Sequence, residues 1–346
     1  MDELLRAPIP HESEATCADC VMLAREGEPA VELFSPETKC CTYLPDLPNF
    51  LCGRILGDDD PALARGRRSL EERIATGIAV TPLGVGRRRS YQLLYDNTPG
   101  AFGHAQTLRC PHYLSDEGRC GVWRHRNSTC STWFCKHVRG AAGHRFWKTM
   151  QQLLAAIERN LAKVCVVERE LDPDAIAALF PPAGVHDVHE DRVAPTELDG
   201  RADLAAYRAA WGRWFGKERE LYRLCAERVS AMSLGEVLER SGPDVALFAR
   251  VVKARHRALL TTEKVDAVEL GLVQIRRHDA DRCHVAGYSH YDPLELPSAI
   301  VASLHHFDGR PVAEVLAEIE RDKGVTIDAE LVSLLLDFEI LKPRKV

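Results

Sequence analysis

No apolar run in this sequence of 346 residues reaches the roughly 18–20 residues that a membrane-spanning helix needs. The opening MDELLRAPIPHESE is acidic and lacks the basic-then-apolar run of a signal peptide, so a cytoplasmic protein without a membrane partner is expected. Charge of one sign is also missing. Lys and Arg total 45 against 51 Asp and Glu, intermixed, for a net charge of -6, which gives no global electrostatic case for nucleic acid. Familiar catalytic signatures are absent too: no HExxH, no visible Ser-His-Asp arrangement, and no CxxxCxxC of radical chemistry. Gly84-Val85-Gly86 lacks the third glycine and the strand context of a dinucleotide fingerprint. What remains, 45% hydrophobic and 28% charged, is the composition of a globular chain long enough for two or three domains.

Cysteine, by contrast, is plentiful and crowded. Nine of the twelve precede residue 136, and four fall in CPHYLSDEGRCGVWRHRNSTCSTWFC, from Cys110 to Cys135. In a reducing compartment such crowding argues for metal before disulfide. The two-residue spacer of Cys17-Ala-Asp-Cys20 lets both sulfurs turn toward one ion. Cys40-Cys41 places adjacent thiols on a backbone that must bend to use both. Cys17, Cys20, Cys40, Cys41, Cys110, Cys120, Cys130 and Cys135 are therefore the expected ligands, enough for two tetrathiolate sites or one larger assembly. Cys52 is the ninth. Either it is not a ligand or the set is uneven, with His112, His125 and His137 as the alternatives to a thiolate. Thiolate is a soft donor that suits iron–sulfur clusters and zinc, with iron–sulfur favoured here. Trp123, Trp133, Phe134 and Tyr113 are expected to shield the site from water. Arg124, Arg126, Lys136 and Arg139 would offset thiolate charge, with Arg126 and Trp123 as cofactor contacts. The later cysteines Cys165, Cys225 and Cys283 stand alone in sequence and read as small buried hydrophobes.

The rest of the chain reads as α+β, mostly α. An irregular, proline-broken cysteine domain covers residues 1–147, with Asp58-Asp59-Asp60 as a solvated turn before a short charged helix, LARGRRSLEERIATG. The Arg87-Arg88-Arg89 triplet reads as a solvated face, and short strands are expected around YQLLY. A helical connector follows over 148–267. It comprises an amphipathic helix through FWKTMQQLLAAIERNLAKVCVVERELD, a short helix at PDAIAALF and a proline-rich linker. The linker carries His186, His189 and Glu190, read as surface groups. One long helix from Arg201 to about Met232 and a further helical stretch from Asp244 complete the connector. From 268 onward the pattern changes to two strands about an Asp-Ala-Asp turn and three compact amphipathic helices, the order of a small winged-helix domain. Its last helix is acidic through Asp328, Glu330 and Asp337, which disfavours DNA.

The run Cys110-Pro111-His112-Tyr113-Leu114, Gly118-Arg119-Cys120-Gly121-Val122-Trp123, Arg126, Cys130 and Cys135 resembles the YkgJ-type cysteine-cluster family, often described as zinc- or iron-chelating. Val122 and Trp123 stand where Ile and Tyr are usual, Arg126 matches the family arginine, and Asn127 replaces a proline. The family's compact CxxCxxCC is split here, because residues 21–39 separate Cys17 and Cys20 from Cys40-Cys41. The resemblance spans about residues 15–140. Flagellin lysine methylase proteins carry a related cysteine pattern, which adds an iron–sulfur enzyme to the readings without implying a substrate. Residues 268–346, through Phe307-Asp308-Gly309, the Val312/Val315 helix and Asp337-Phe338-Glu339-Ile340, are similar to PqqD-like peptide-recognition domains. That similarity implies a peptide or protein partner added as a strand beside the hairpin. The expectation is a metalloprotein that modifies or escorts a peptide or protein. A non-catalytic structural-zinc interaction protein and an iron- or redox-sensing regulator fit the same residues.

Overall fold

The computed structural model describes residues 2–13, 16–24, 34–180, 200–261, 265–277 and 279–344. It is mixed α+β and mostly helical, with small antiparallel sheets. The chain divides into two compact units, both discontinuous in sequence. Unit 1 comprises Met1–Leu33, Trp133–Met150 and Ala249–Val346; unit 2 comprises Phe34–Thr132 and Gln151–Phe248.

Unit 2 is built on helices Asn49–Gly57, Ala64–Thr76 and Glu218–Ser230 and the part of the helix Gly140–Glu168 that follows Met150. Asn49–Gly57 lies directly on Glu218–Ser230. A Cβ at Gly53 would sit 1.9 Å from the Tyr222 carbonyl oxygen, so only glycine permits that approach. Leu47, Leu70, Trp211, Leu221 and Tyr222 fill the core between them. Trp211 Nε1 donates to Val80 O at 3.2 Å and Tyr222 Oη to Thr81 O at 2.7 Å, so the buried polar ends of both aromatics are satisfied. The charged helix expected from the sequence is Ala64–Thr76, introduced by Asp60, whose carboxylate accepts from Ala62 N, and stopped by Gly77 at φ 67°.

Two expectations fail in unit 2. YQLLY is helical, within Arg89–Asn97, because helical spacing stacks Tyr91 on Tyr95 at 5.9 Å and aims the Tyr91 hydroxyl at the backbone of Thr42. The single helix expected over 201–232 is broken into Leu204–Trp211, a short turn Gly212–Trp214 and Glu218–Ser230. Gly212 at φ 49° and Gly216 at φ 80° leave the right-handed region at the two breaks. His186, His189 and Glu190 lie outside the described residues.

Unit 1 carries the elements expected after residue 268. The strands Gln274–Arg277 and Arg282–Ala286 pair about the Asp-Ala-Asp turn with Ile275 opposite Val285. Asp279 Oδ1 accepts the Arg282 N–H at 2.8 Å to close the turn. Leu294–Pro297 pairs on the far side, so Cys283, Val285 and Leu296 enter the core together. Ala267–Leu270 is the centre of a second sheet between Asp308–Pro311 and Leu341–Pro343. Helices Ser298–Ser303, Val312–Lys323 and Ala329–Asp337 follow the expected order; Gly324 at φ 64° stops the second and the Asp328 side chain caps the third. Val315 and Ile319 of the second helix and Leu335 of the third join Ile340 in one apolar cluster.

Candidate functional site

Five of the eight expected ligands converge in unit 2, and the chain brings them there on loops. Residues 34–44 form a turn-rich loop in which Lys39 adopts a left-handed φ of 46° immediately before Cys40-Cys41. Two buried threonines clamp that loop: Thr38 Oγ1 donates to Gly103 O at 2.8 Å, and Thr42 Oγ1 accepts from Gly103 N at 2.8 Å. Tyr91 Oη donates to Thr42 O and accepts the Leu44 N–H at 2.8 Å. The Cys110 N–H donates to Cys41 O at 2.7 Å, which brings the second cysteine block against the first. Cys120 lies on a two-stranded turn opposite Tyr113. Gly121 returns its N–H to His112 O, packed so tightly on Gly66 that neither glycine tolerates a Cβ. Cys130 sits in the short helix Ser128–Thr132, where Asn127 Oδ1 accepts its N–H. Glu158 accepts both the Ser128 N–H and its hydroxyl, each at 2.6 Å.

The five thiols influence one another electrostatically. Cys41 donates its S–H to Cys40, so Cys40 is pulled down and Cys41 pushed up; Cys110 and Cys120 push Cys41 further. Burial pushes Cys110 up to about 12 and raises Cys120 and Cys130, whose thiol also meets the repulsion of Cys110, Cys120 and Cys40. Five such groups cannot ionise together without added positive charge. Part of that charge is present. Lys39 lies beside Cys40, with Nζ donating to Gly118 O at 2.7 Å, and Arg126 acts on Cys40, Cys120 and Cys130. Arg73, only 6% exposed, faces Cys110 and Cys52.

Two buried polar atoms beside these thiols find no hydrogen-bond partner among the described residues: Arg73 Nη1 and His112 Nε2. Burial lowers the Arg73 guanidinium, and the neighbouring Cys110 works against that shift. His112 is fully buried and pushed down to about 3, hence neutral. Its tautomer follows from its neighbour. The Ser69 hydroxyl donates to Gly66 O at 2.7 Å, so it accepts from His112 Nδ1 at 2.7 Å, leaving Nε2 with a bare lone pair. Among the described residues, no three His, Cys, Asp or Glu side chains are drawn together closely enough to hold an ion.

The remaining expected residues take other places. Cys17, Cys20 and Cys135 belong to unit 1. There the chain beside Cys135 is fixed by Glu12, which accepts from Val138 N and Trp147 Nε1, and by Asp292, which accepts the His137 N–H at 2.9 Å. His137 Nδ1 meets Tyr288 Oη at 3.1 Å, and burial pushes the imidazole down to about 4. His125 is committed to Asp58 at 2.7 Å, which holds that carboxyl low. Cys52 is fully buried in the apolar core and donates to Leu47 O at 3.3 Å. Trp123 is no shield: it is 43% exposed and serves as a platform for Arg126, whose guanidinium carbon lies 3.3 Å from the ring centroid. Trp133 is likewise 40% exposed, whereas Tyr113 is buried and donates to Pro36 O. Arg126 Nη1 meanwhile donates to Cys130 O at 3.1 Å and ties the platform to the thiol loop.

A cleft of about 480 Å3 in the same unit is lined by Tyr43, Asp46, Asn127, Ser128, Glu158 and Lys163 among others. Burial lifts Glu158 to about 7, against the pull of its two Ser128 hydrogen bonds. Sequence reasoning missed Arg73, Thr38, Thr42 and Glu158. Arg73 was discoverable, because it shares the face of Leu70 and Ile74 in its helix. Among the described residues no helix is long and apolar enough to cross a membrane. No family model, curated protein or solved structure matches the chain.

Proposed function

We propose that this chain is a cytoplasmic metalloprotein. Unit 2 would hold an iron–sulfur centre on thiolates drawn from Cys40, Cys41, Cys110, Cys120 and Cys130, with Arg126, stacked on exposed Trp123, offsetting charge on one side. One observation carries this reading: Cys40, Cys41, Cys110, Cys120 and Cys130 lie near enough to act on one another's charge, and Cys110 is faced by a buried arginine whose Nη1 has no hydrogen-bond partner among the described residues. A thiolate-ligated centre is anionic, and a buried guanidinium that gives Nη2 to Gly86 O but leaves Nη1 unsatisfied is a group such a charge would satisfy. Thiolate donors suit iron–sulfur and zinc and exclude Mg and Ca. When bound, such a centre supplies electron transfer or a structural tie. The residues around it do the positioning: Thr38 and Thr42 hold Cys40-Cys41, Asn127 and Glu158 hold the Cys130 turn, and Lys39, Arg73 and Arg126 offset negative charge. Cys17, Cys20 and Cys135 would ligate within unit 1, where neutral His137 is a nitrogen donor of the right protonation state.

The partner is a peptide or protein taken up by residues 268–346. The strand Gln274–Arg277 lies at the edge of its sheet, with Ile275 51% and nearby Leu272 87% exposed, which suits addition of an extended segment. Anaerobic purification tests the metal. A brown protein with charge-transfer absorption and bound iron supports the proposal; a colourless protein with stoichiometric zinc replaces it with the structural-zinc reading. Protein free of both metals sinks it.

A further inference from the structure

Two cysteines that stand alone in sequence meet in the core of unit 2. Cys165, on the helix Gly140–Glu168, has its Sγ 3.9 Å from Cys225 O on the helix Glu218–Ser230, and the Cys225 thiol hydrogen-bonds to the Cys165 sulfur. The contact is held from both sides. One turn along, Glu168 takes Arg228 at 2.8 Å, and Arg169 Nη2 donates to Leu224 O at 3.1 Å. Arg169 also leaves its buried Nε without a hydrogen-bond partner while its charge acts on both thiols. A dithiol beside an unsatisfied guanidinium is the environment in which a cysteine sulfur becomes reactive. Cys52 is near enough to be felt by Cys225, but its thiol is engaged with Leu47 O.

We propose that Cys165 and Cys225 are an oxidisable pair, a modification site for hydrogen peroxide that closes to a disulfide and fastens the two helices together. The exposures of 1% and 0% exclude a bulky disulfide such as oxidised glutathione and leave a small neutral oxidant as the class of reagent that fits. The Cys165 sulfur attacks one peroxide oxygen, the O–O bond breaks, and Cys165 sulfenic acid and water form. The Cys225 sulfur then attacks the sulfenic sulfur, the S–O bond breaks, and the hydroxyl leaves with the Cys225 proton as a second water. Two electrons pass from the thiol pair to one peroxide. The two cysteines meet across the packed helices, with the Cys165 sulfur 3.9 Å from the Cys225 carbonyl oxygen, and the disulfide would close from that contact.

The test uses the full chain as purified, treated with hydrogen peroxide, denatured, alkylated and mapped by peptide mass. Expected is the joint disappearance of alkylated Cys165 and Cys225 peptides. They should reappear as one cross-linked species two hydrogen masses below the sum of the two unalkylated peptides, reversed by a thiol reductant. Cys225→Ala should leave Cys165 unlinked and trappable as sulfenic acid. Should that variant not fold, the wild-type map decides alone. A cross-link of either residue to Cys52 would overturn the proposal. So would both peptides remaining fully alkylated once Cys120 and Cys130 have been oxidised.

Discussion

Within unit 2 the same residue type lives in two environments. Cys40, Cys41, Cys110, Cys120 and Cys130 sit on loops and short turns, pinned by polar hydrogen bonds and attended by Lys39, Arg73 and Arg126. Cys52, Cys165 and Cys225 sit on regular helices among Leu47, Leu161, Leu221 and Tyr222. Cys52, Cys165 and Cys225 are fully buried, whereas Cys40, Cys41, Cys120 and Cys130 are half-buried, and the backbone that carries the two groups differs as well. Irregular backbone lets several thiols point at one place, which successive positions on a helix cannot do. Cationic neighbours then make ionisation of those thiols affordable.

The comparison can be broken by substitution, and the largest effect should come from the loops. Cys120→Ser or Cys130→Ser should abolish most bound metal, read as metal per chain after anaerobic purification. Full occupancy in both variants would erase the distinction. Arg73→Met comes next. It should leave the chelator-treated chain as stable as before or more so, while lowering the metal-loaded chain by about 2–4 kcal/mol, because the guanidinium then loses its role against bound charge. Denaturant titrations with and without chelator give both numbers, and equal effects would show that Arg73 serves the fold alone. In the helical group, Cys52→Ala should cost about 1–2 kcal/mol through a small cavity and leave metal content unchanged.

A last effect concerns pH. Burial lifts Glu158 to about 7 in the folded chain against an ordinary value of 4.5, so the folded state binds the extra proton between those values. Stability from this group is therefore present below pH 4.5 and lost as pH rises through 7, by at most about 3 kcal/mol. Glu158→Gln should flatten that slope in melting curves taken across the window; an unchanged slope would remove Glu158 as its source.

Much of this organisation was legible beforehand. The hairpin about Asp279–Asp281 and the helices after Ser298 declared themselves by alternation, by glycine stops and by apolar spacing. Cys110, Cys120 and Cys130, crowded in sequence, lie near enough in unit 2 to act on one another's charge. Less legible was anything that depended on contacts between distant segments. Tyr91 and Tyr95 read as strand residues until their stacking and the hydroxyl bond to Thr42 are known. Gly212 and Gly216 read as tolerated helix residues, although each turns the chain at positive φ. The pairing of Cys165 with Cys225 has no local signature, since their separation is bridged only by helix packing.

The order in which the segments of unit 1 occur along the chain has a consequence for biosynthesis. Residues 1–33 leave the ribosome first, yet most of the unit they belong to, from Ala249 onward, is made last. At roughly 5–20 residues per second, Cys17 and Cys20 wait on the order of 10–50 s for those partners. During that interval they are two thiols on an unfinished surface, open to any scavenging metal or to a chaperone. Unit 2 has its final segment in hand sooner, so its cysteine loops can fold while Cys17 and Cys20 are still waiting.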